Sequence, residues 1–300
     1  SASATRPDEP AAAAGAEAAD TSRLRDLVVT TRDLPAMPHV ASKVLELSAD
    51  PQTCAPQLQQ VIADDQAMAA RILKIANSAM YACSRRVRTL SEAIVMLGFN
   101  SIRSLVVTSA ARNLYAGNGA RLGLKERLLW EHSIACAFAG RMLALPRWPL
   151  LAEEAFLAGL MHDIGKLVLN LQVPQRFDEI VTLVYNEHRG FHETEREVLG
   201  FDHAQVGALL VEKWKLSPML EESIGLHHDP SAQTADRPLL LCLDAANQLC
   251  HRLGLGFKEC PDLALGALPS VRLLGFTAAE LDPLVGQLQA SLETEMEIFM

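Results

Sequence analysis

The sequence predicts an all-α protein. Hydrophobic residues make up 49% of the 300-residue chain and aromatic residues only 5%. The core must therefore be built from Leu, Ala, Val and Ile, which suits packed helices better than a β-sandwich that needs β-branched and aromatic residues. Apolar residues recur at helical spacing through most of the chain, and no alternating stretch reads as a strand. No internal repeat of roughly 20–50 residues is present.

Residues 1–22 are rich in Ala and acidic, and they lack the positive start and apolar run of a signal peptide. They are expected to form a disordered lead. Between 23 and 115 the pattern gives five or six short helices. Leu34-Pro-Ala-Met-Pro38 is extended, because each proline disfavours helix in the residue before it. Val40, Val44, Leu45 and Leu47 then form a helical stripe that stops near Asp50-Pro51. Leu58, Val61 and Ile62 make the next stripe, and Met68, Ile72, Leu73 and Ile75 another, ending near Asn77. Thr89-Leu-Ser-Glu92 resembles a capping arrangement ahead of Ala93, Ile94 and Leu97. Gly98 is the expected stop, and Asn100 the cap of a helix through Ile102, Leu105 and Val106.

Longer helices follow. Leu124–Leu145 ends at Pro146, and Leu151–Leu171 ends before Pro174. Phe177–His188 stops at Gly190, and Asp202 caps Ala204–Trp214. Ser217-Pro218 opens a helix reaching His228, with proline at the first helical position. Pro238–Leu253 and Ala278–Phe299 complete the set. The expected division is a lead at 1–22, an N-terminal helical subdomain at 23–115, a helical bundle at 116–256 and a C-terminal helical extension at 257–300.

A net charge of -9 disfavours nucleic acid as a partner. The densest basic run, Arg85-Arg86-Val87-Arg88, reads either as a solvated turn or, with Asn77–Tyr81, as a partner or ligand surface. Six widely spaced cysteines without a Cys-x-x-Cys pair suggest free thiols of a reducing compartment. No run approaches the ~18 apolar residues of a membrane span. A cytoplasmic protein is expected.

The residues that carry chemistry centre on His162-Asp163, inside the apolar run Leu157-Ala-Gly-Leu-Met-His-Asp-Ile-Gly-Lys-Leu167. Two good metal ligands stand side by side there, about 100° apart if the helix is continuous. They can share a metal only at the edge of a buried face, with ligands arriving from elsewhere. His132, His203, His227, His228 and Asp244 are the candidates. Asp244 lies in the apolar stretch Leu240-Leu-Cys-Leu-Asp-Ala-Ala, where a buried carboxylate needs a partner. Imidazole with carboxylate suits Fe, Mn, Zn or Mg in a catalytic type of site more than structural zinc. Each residue alone also fits a hydrogen-bonded core, and only their number argues for a metal.

The order His…His-Asp…Asp resembles the HD superfamily of metal-dependent phosphohydrolases. More closely, the chain resembles the HDOD family, a signalling-associated branch. The resemblance runs over roughly residues 30–230, through Leu34–Pro38, Ala76-Asn-Ser-Ala-Met-Tyr81, Ala93–Gly98, Trp130-Glu-His-Ser133, Gly159–Leu167, Asp202-His-Ala-Gln-Val-Gly207 and His227-His228. It implies a helical N-terminal subdomain packed on an HD-like helical bundle. By that resemblance His132, His162, Asp163 and Asp244 correspond to the HD metal-ligand set. His203, His227 and His228 correspond to the added histidines of the related HD-GYP phosphodiesterases, and Lys166 to a lysine that contacts substrate phosphate. The implied cofactor is a divalent metal, in one or two ions. Two features depart from the HD-GYP pattern: no Gly-Tyr-Pro loop follows His227-His228-Asp229-Pro230, and Leu128 stands where some of those enzymes place a glutamate ligand. The resulting expectation is a regulatory signalling module that binds a signalling protein or a small nucleotide-like ligand at a metal-bearing bundle. The alternative is a metal-dependent phosphohydrolase acting on a nucleotide or cyclic dinucleotide.

Overall fold

A computed structural model describes residues 36–81, 83, 85–116, 122–187, 189–257 and 259–300. The expectation for residues 1–22 lies outside them. Among the described residues every regular element is helical. The α-helices are α1 (His39–Ala49), α2 (Ala55–Ala63), α3 (Gln66–Ala76), α4 (Leu90–Ala116), α5 (Leu124–Ala144), α6 (Ala152–Met161) and α7 (Ile164–Gln172). They continue as α8 (Pro174–Glu187), α9 (Phe191–Leu199), α10 (His203–Lys213), α11 (Pro218–Gly225), α12 (Pro238–Arg252), α13 (Pro269–Leu273) and α14 (Ala278–Phe299).

Helices α1–α3 pack around α4, with Leu58, Ile62, Met68, Ile72 and Ile75 fully buried. Gly98 takes φ 78°, so α4 is two helical segments joined at a kink where the sequence predicts a stop. The loop between α3 and α4 is pinched by Asn77, whose side chain bonds both the carbonyl and the N–H of Val87 at 2.9 and 2.8 Å. By length and composition α4 could cross a bilayer, contrary to the expectation that no run comes near it. In the fold 61% of its most apolar stretch is buried in the protein.

The second half is a bundle around α5, which packs on α6, α12 and α14. Trp130 and Phe138 of α5 are buried in its core. Helix α14 ties the two halves together. Phe299 lies edge-on to Phe138 and its carbonyl accepts from Trp130 Nε1, while Lys74, Met80 and Arg112 of the first half bond Glu297, Glu295 and Met300. What reads in the sequence as an extension is therefore part of the core.

Local chemistry explains most boundaries. Asp202 caps α10 in a reciprocal box with Gln205, Ser217 caps α11 ahead of Pro218, and Thr277 and Glu280 box the start of α14. Three expectations need correction. The helix expected at 151–171 is two helices, broken at His162-Asp163, where Asp163 adopts φ -97°, ψ 7°. The helix expected to reach His228 ends at Gly225, so both histidines lie in the following turn. Helix α9 was not predicted at all. Its sequence Phe-His-Glu-Thr-Glu-Arg-Glu-Val-Leu is mostly polar, and its three apolar residues, Phe191, Val198 and Leu199, share a face but stand two turns apart.

Candidate metal centre

The break at His162-Asp163 sets the geometry of the site. Two glycines of the same run let neighbouring backbones come close enough to build it. A Cβ on Gly159 would lie 2.3 Å from the Cys136 carbonyl oxygen of α5. A Cβ on Gly165 would lie 2.0 Å from the His203 carbonyl oxygen at the start of α10. Any side chain there would push α5 or α10, and the histidines they carry, away from Asp163.

Four buried imidazoles then converge on the Asp163 carboxylate, each with its Nδ1 tied from behind. His132 Nδ1 bonds the Leu255 carbonyl at 3.0 Å, His162 Nδ1 the Gly159 carbonyl at 2.8 Å, and His227 Nδ1 the Ile224 carbonyl at 2.6 Å. His203 Nδ1 bonds Glu195 Oε2 at 2.5 Å, and the same oxygen accepts from the His203 backbone N–H. A carbonyl on Nδ1 places the proton there and leaves Nε2 of His132, His162 and His227 with its lone pair facing inward, whereas His203, between Glu195 and Asp163, is protonated on both nitrogens. The inward nitrogens surround Asp163: Oδ2 is 3.7 Å from His132 Nε2 and 3.5 Å from His162 Nε2, and Oδ1 is 3.2 Å from His203 Nε2. His228 Nε2 is 2.9 Å from His203 Nε2. Among the described residues, His162 Nε2 and His227 Nε2 are buried without a hydrogen-bond partner.

The electrostatics agree with a ligand set. Burial pushes the pKa of His162 well down, against the pull of Asp163. Burial and the neighbouring His203 charge bring His227 down to about 3, and burial with the adjacent imidazoles lowers His228 strongly. These rings are neutral and able to donate lone pairs at physiological pH. His203 goes the other way. Burial opposes its charge, but Glu195 and Asp163 outweigh it and raise the pKa to about 9. Asp163 is held well below the carboxylate range, because His162, Lys166 and His203 outweigh its burial.

The structure thus gathers His132, His162, Asp163, His203, His227 and His228. The sets His132–Cys136–His162, His162–Asp163–His227 and His203–His227–His228 each hold candidate ligand atoms within 4.8 Å of one another. Asp244 is not in these groups. It lies on α12 with its carboxylate facing Ser270, Gln248 and Gln233, and burial lifts its pKa. On α12 it is Asn247, three positions on, that bonds His132, and His251 that stacks on its ring with centroids 5.4 Å apart. The expected order of ligands therefore brings Asp244 to the cavity wall and not into the histidine cluster. Lys166 is buried, donates to Asp163 Oδ2 at 2.8 Å, and rests 4.6 Å from the Phe191 ring. Glu195, the carboxylate behind His203, was missed by sequence reasoning along with its helix. A Glu eight residues before a candidate histidine carries no signal until α9 folds onto α10.

The cluster opens into a cavity of about 350 Å³. His132, Asp163, Lys166, His227 and His228 form its floor, Arg189 and His192 add basic groups, and Phe191 and Phe257 pack against each other in its wall.

The family model for the HDOD domain matches residues 34–230. This chain belongs to the HDOD domain family. Its fold is similar to an HDOD domain protein of unknown function from Geobacter sulfurreducens, with a TM-score of 0.77, 24% identity, and coverage of 94% of this chain and 97% of that one. It is also similar to a Shewanella amazonensis SB2B structure named "Putative phosphohydrolase", with a TM-score of 0.72, 26% identity and the same two coverages. A curated relative from Treponema pallidum (strain Nichols), itself an uncharacterized protein, is 25% identical over 221 residues. That match takes in 72% of this chain, and the HDOD chain spans only 42% of the relative's length.

Proposed function

We propose that this HDOD protein is a regulatory signalling module that holds divalent metal around Asp163 and binds a small phosphorylated, nucleotide-like ligand in the adjoining cavity. The observation that carries the metal is the convergence of Nε2 lone pairs whose Nδ1 partners are all backbone carbonyls. Among the described residues, a hydrogen-bonded core would not leave His162 Nε2 and His227 Nε2 buried and without a hydrogen bond. The nitrogen-rich donor set favours Fe, Mn or Zn over Mg, which prefers oxygen. Asp163 has His132 and His162 on one oxygen and His203 on the other, which suits a carboxylate shared between two ions.

The cavity supports the ligand. Arg189 and His192 supply donor groups for phosphate in an otherwise acidic chain, and Phe191 and Phe257 supply a face for a flat ring. A second reading, metal-dependent phosphohydrolase, is favoured by the direct opening of the cavity onto Asp163 and His228, and by likeness to the Shewanella amazonensis protein of that name. Bound metal would there supply an activated water and neutralise phosphoryl oxygens. Against turnover stands the Lys166 ammonium, which is spent on Asp163 rather than free for substrate.

The test is metal analysis of protein purified without chelator, followed by calorimetric titration of pyrophosphate and nucleoside phosphates into metal-loaded and chelator-stripped samples. Metal-dependent binding without product supports the module, and metal-dependent product release replaces it with the hydrolase. A folded protein that takes up no Fe, Mn or Zn removes both.

A further inference from the structure

Cys136 lies one helical turn after His132 on α5, so the two side chains share a face. Its sulfur is fully buried, 3.5 Å from His132 Nε2 and further, at 4.0 Å, from Nδ1. The nitrogen it approaches is the one turned toward Asp163. One candidate ligand atom each of His132, Cys136 and His162 lies within 4.8 Å of the others, and among the described residues His162 Nε2 is buried without a hydrogen-bond partner.

These separations can be compared with the edges of a coordination tetrahedron. Zinc–nitrogen bonds of about 2.05 Å and a zinc–sulfur bond of about 2.3 Å, at a tetrahedral angle, put N and S about 3.5 Å apart and N and O about 3.3 Å apart. The observed edges are 3.5 Å for His132 to Cys136, 3.7 Å for His132 to Asp163 and 3.5 Å for His162 to Asp163. These three edges are close to those of an N2OS site, with Cys136 grouped with His132 and His162, and Asp163 3.7 and 3.5 Å from the same two imidazoles.

We propose that Cys136 is a metal ligand, as thiolate, in one site with His132, His162 and Asp163. The proposal rests on the metal-bearing reading above and gives the site two sides. Cys136 and His162 face away from the cavity, whereas His132 and Asp163 meet it beside His227 and His228. Sulfur thus holds the metal from the buried side, and a ligand in the cavity approaches from the other. Coordination deprotonates the thiol. In the metal-free protein burial and the neighbouring Cys250 hold the Cys136 thiol well above its ordinary pKa, so the metal itself has to displace the proton. Lys166 Nζ, now 2.8 Å from Asp163 Oδ2, has to swing off that oxygen, and the Phe191 ring 4.6 Å away can hold it. A soft sulfur ligand gives this site a preference for zinc over manganese that an imidazole–carboxylate set alone would not have.

The experiment is zinc-edge X-ray absorption on the full chain, saturated with Zn2+ under reducing conditions. One sulfur per protein at about 2.3 Å, beside nitrogen and oxygen at about 2.0–2.1 Å, is expected. Cys136→Ser should bind zinc without the sulfur signal and lose at least tenfold of its zinc-over-manganese preference. Cys250→Ala should keep the signal. If Cys136→Ser fails to fold, the wild-type and Cys250→Ala spectra still decide. Zinc bound through nitrogen and oxygen alone, or a sulfur signal that survives Cys136→Ser, overturns the proposal and leaves the metal centre standing. No zinc bound by folded wild-type protein overturns the proposal and the metal centre together.

Discussion

Replacing Glu195 with Gln isolates the interaction that sets the proton inventory of His203, and through it how the proposed centre should take up metal. In the metal-free protein His203 keeps its second proton up to about pH 9, because Glu195 and Asp163 overcome the cost of burial. A metal at His203 Nε2 must displace that proton. Below pH 9 the apparent affinity therefore rises about tenfold per pH unit, and at pH 7, two units lower, the proton costs about a hundredfold, or about 2.7 kcal/mol. Glu195→Gln has two opposing effects. It removes the carboxylate that makes the ring basic and orients it, a change that typically costs 10–100-fold in metal affinity. It also returns the His203 pKa to or below its ordinary value of about 6.5, which abolishes the proton competition. The two nearly cancel at pH 7. At pH 9 only the loss remains, so the affinity deficit of the variant should grow from little at pH 7 to roughly 10–100-fold at pH 9. Zinc competition titrations against a chromophoric chelator from pH 6.5 to 9.5, corrected for the chelator's own protonation, measure this. A deficit that is constant with pH, or the absence of proton release on metal binding to wild type at pH 7.5, would refute the reasoning. The raised pKa also predicts a stability effect without metal. Its contribution is complete below about pH 6.5 and is lost as pH rises through about 9, so metal-free Glu195→Gln should be destabilised more at pH 6 than at pH 9.5.

Other expectations follow from the same geometry. Asp163→Ala should lose all stoichiometric metal and His162→Ala part or all of it, with helix content by circular dichroism nearly unchanged; wild-type stoichiometry in either variant would mean the ligand set is wrong. Gly165→Ala has to move backbone at the His203 carbonyl and should cost roughly 3 kcal/mol or more, together with metal affinity. Gly286→Ala, in α14 with nothing within 4 Å of the new Cβ, should instead leave stability unchanged or raise it by up to about 1 kcal/mol; thermal melts compare the two. Cyclic di-GMP should not be linearised by the metal-loaded protein, since no Gly-Tyr-Pro loop follows His228 and Lys166 is engaged by Asp163; chromatographic detection of the linear product, absent in His162→Ala, would restore hydrolysis as the leading reading.

The sequence by itself determined the helical class, because a Leu- and Ala-rich chain with three- and four-residue periodicity has no other way to bury its apolar stripe. It determined the starts of α10, α11 and α14, where Asp202, Ser217-Pro218 and Thr277 satisfy the first N–H groups by local chemistry. It also brought forward His132, His162, Asp163, His203, His227 and His228, since so many imidazoles at helix edges are costly to bury for packing alone. The tertiary structure decided what sequence spacing does not encode. The break between α6 and α7 follows from fitting Asp163 among three helices, and an unbroken apolar run hides it. Glu195 reaches His203 because α9 folds back on α10, burying Thr194 and Glu195 between the turns that carry Phe191 and Val198. Asp244 looked like a ligand because it is acidic in an apolar stretch. The rotation of α12 instead turns Asn247 toward His132 and leaves Asp244 facing Ser270, Gln248 and Gln233. Residues three apart on a helix differ by about 60° in direction around its axis. Only the packing of α12 against α5 sets which of them meets the metal centre.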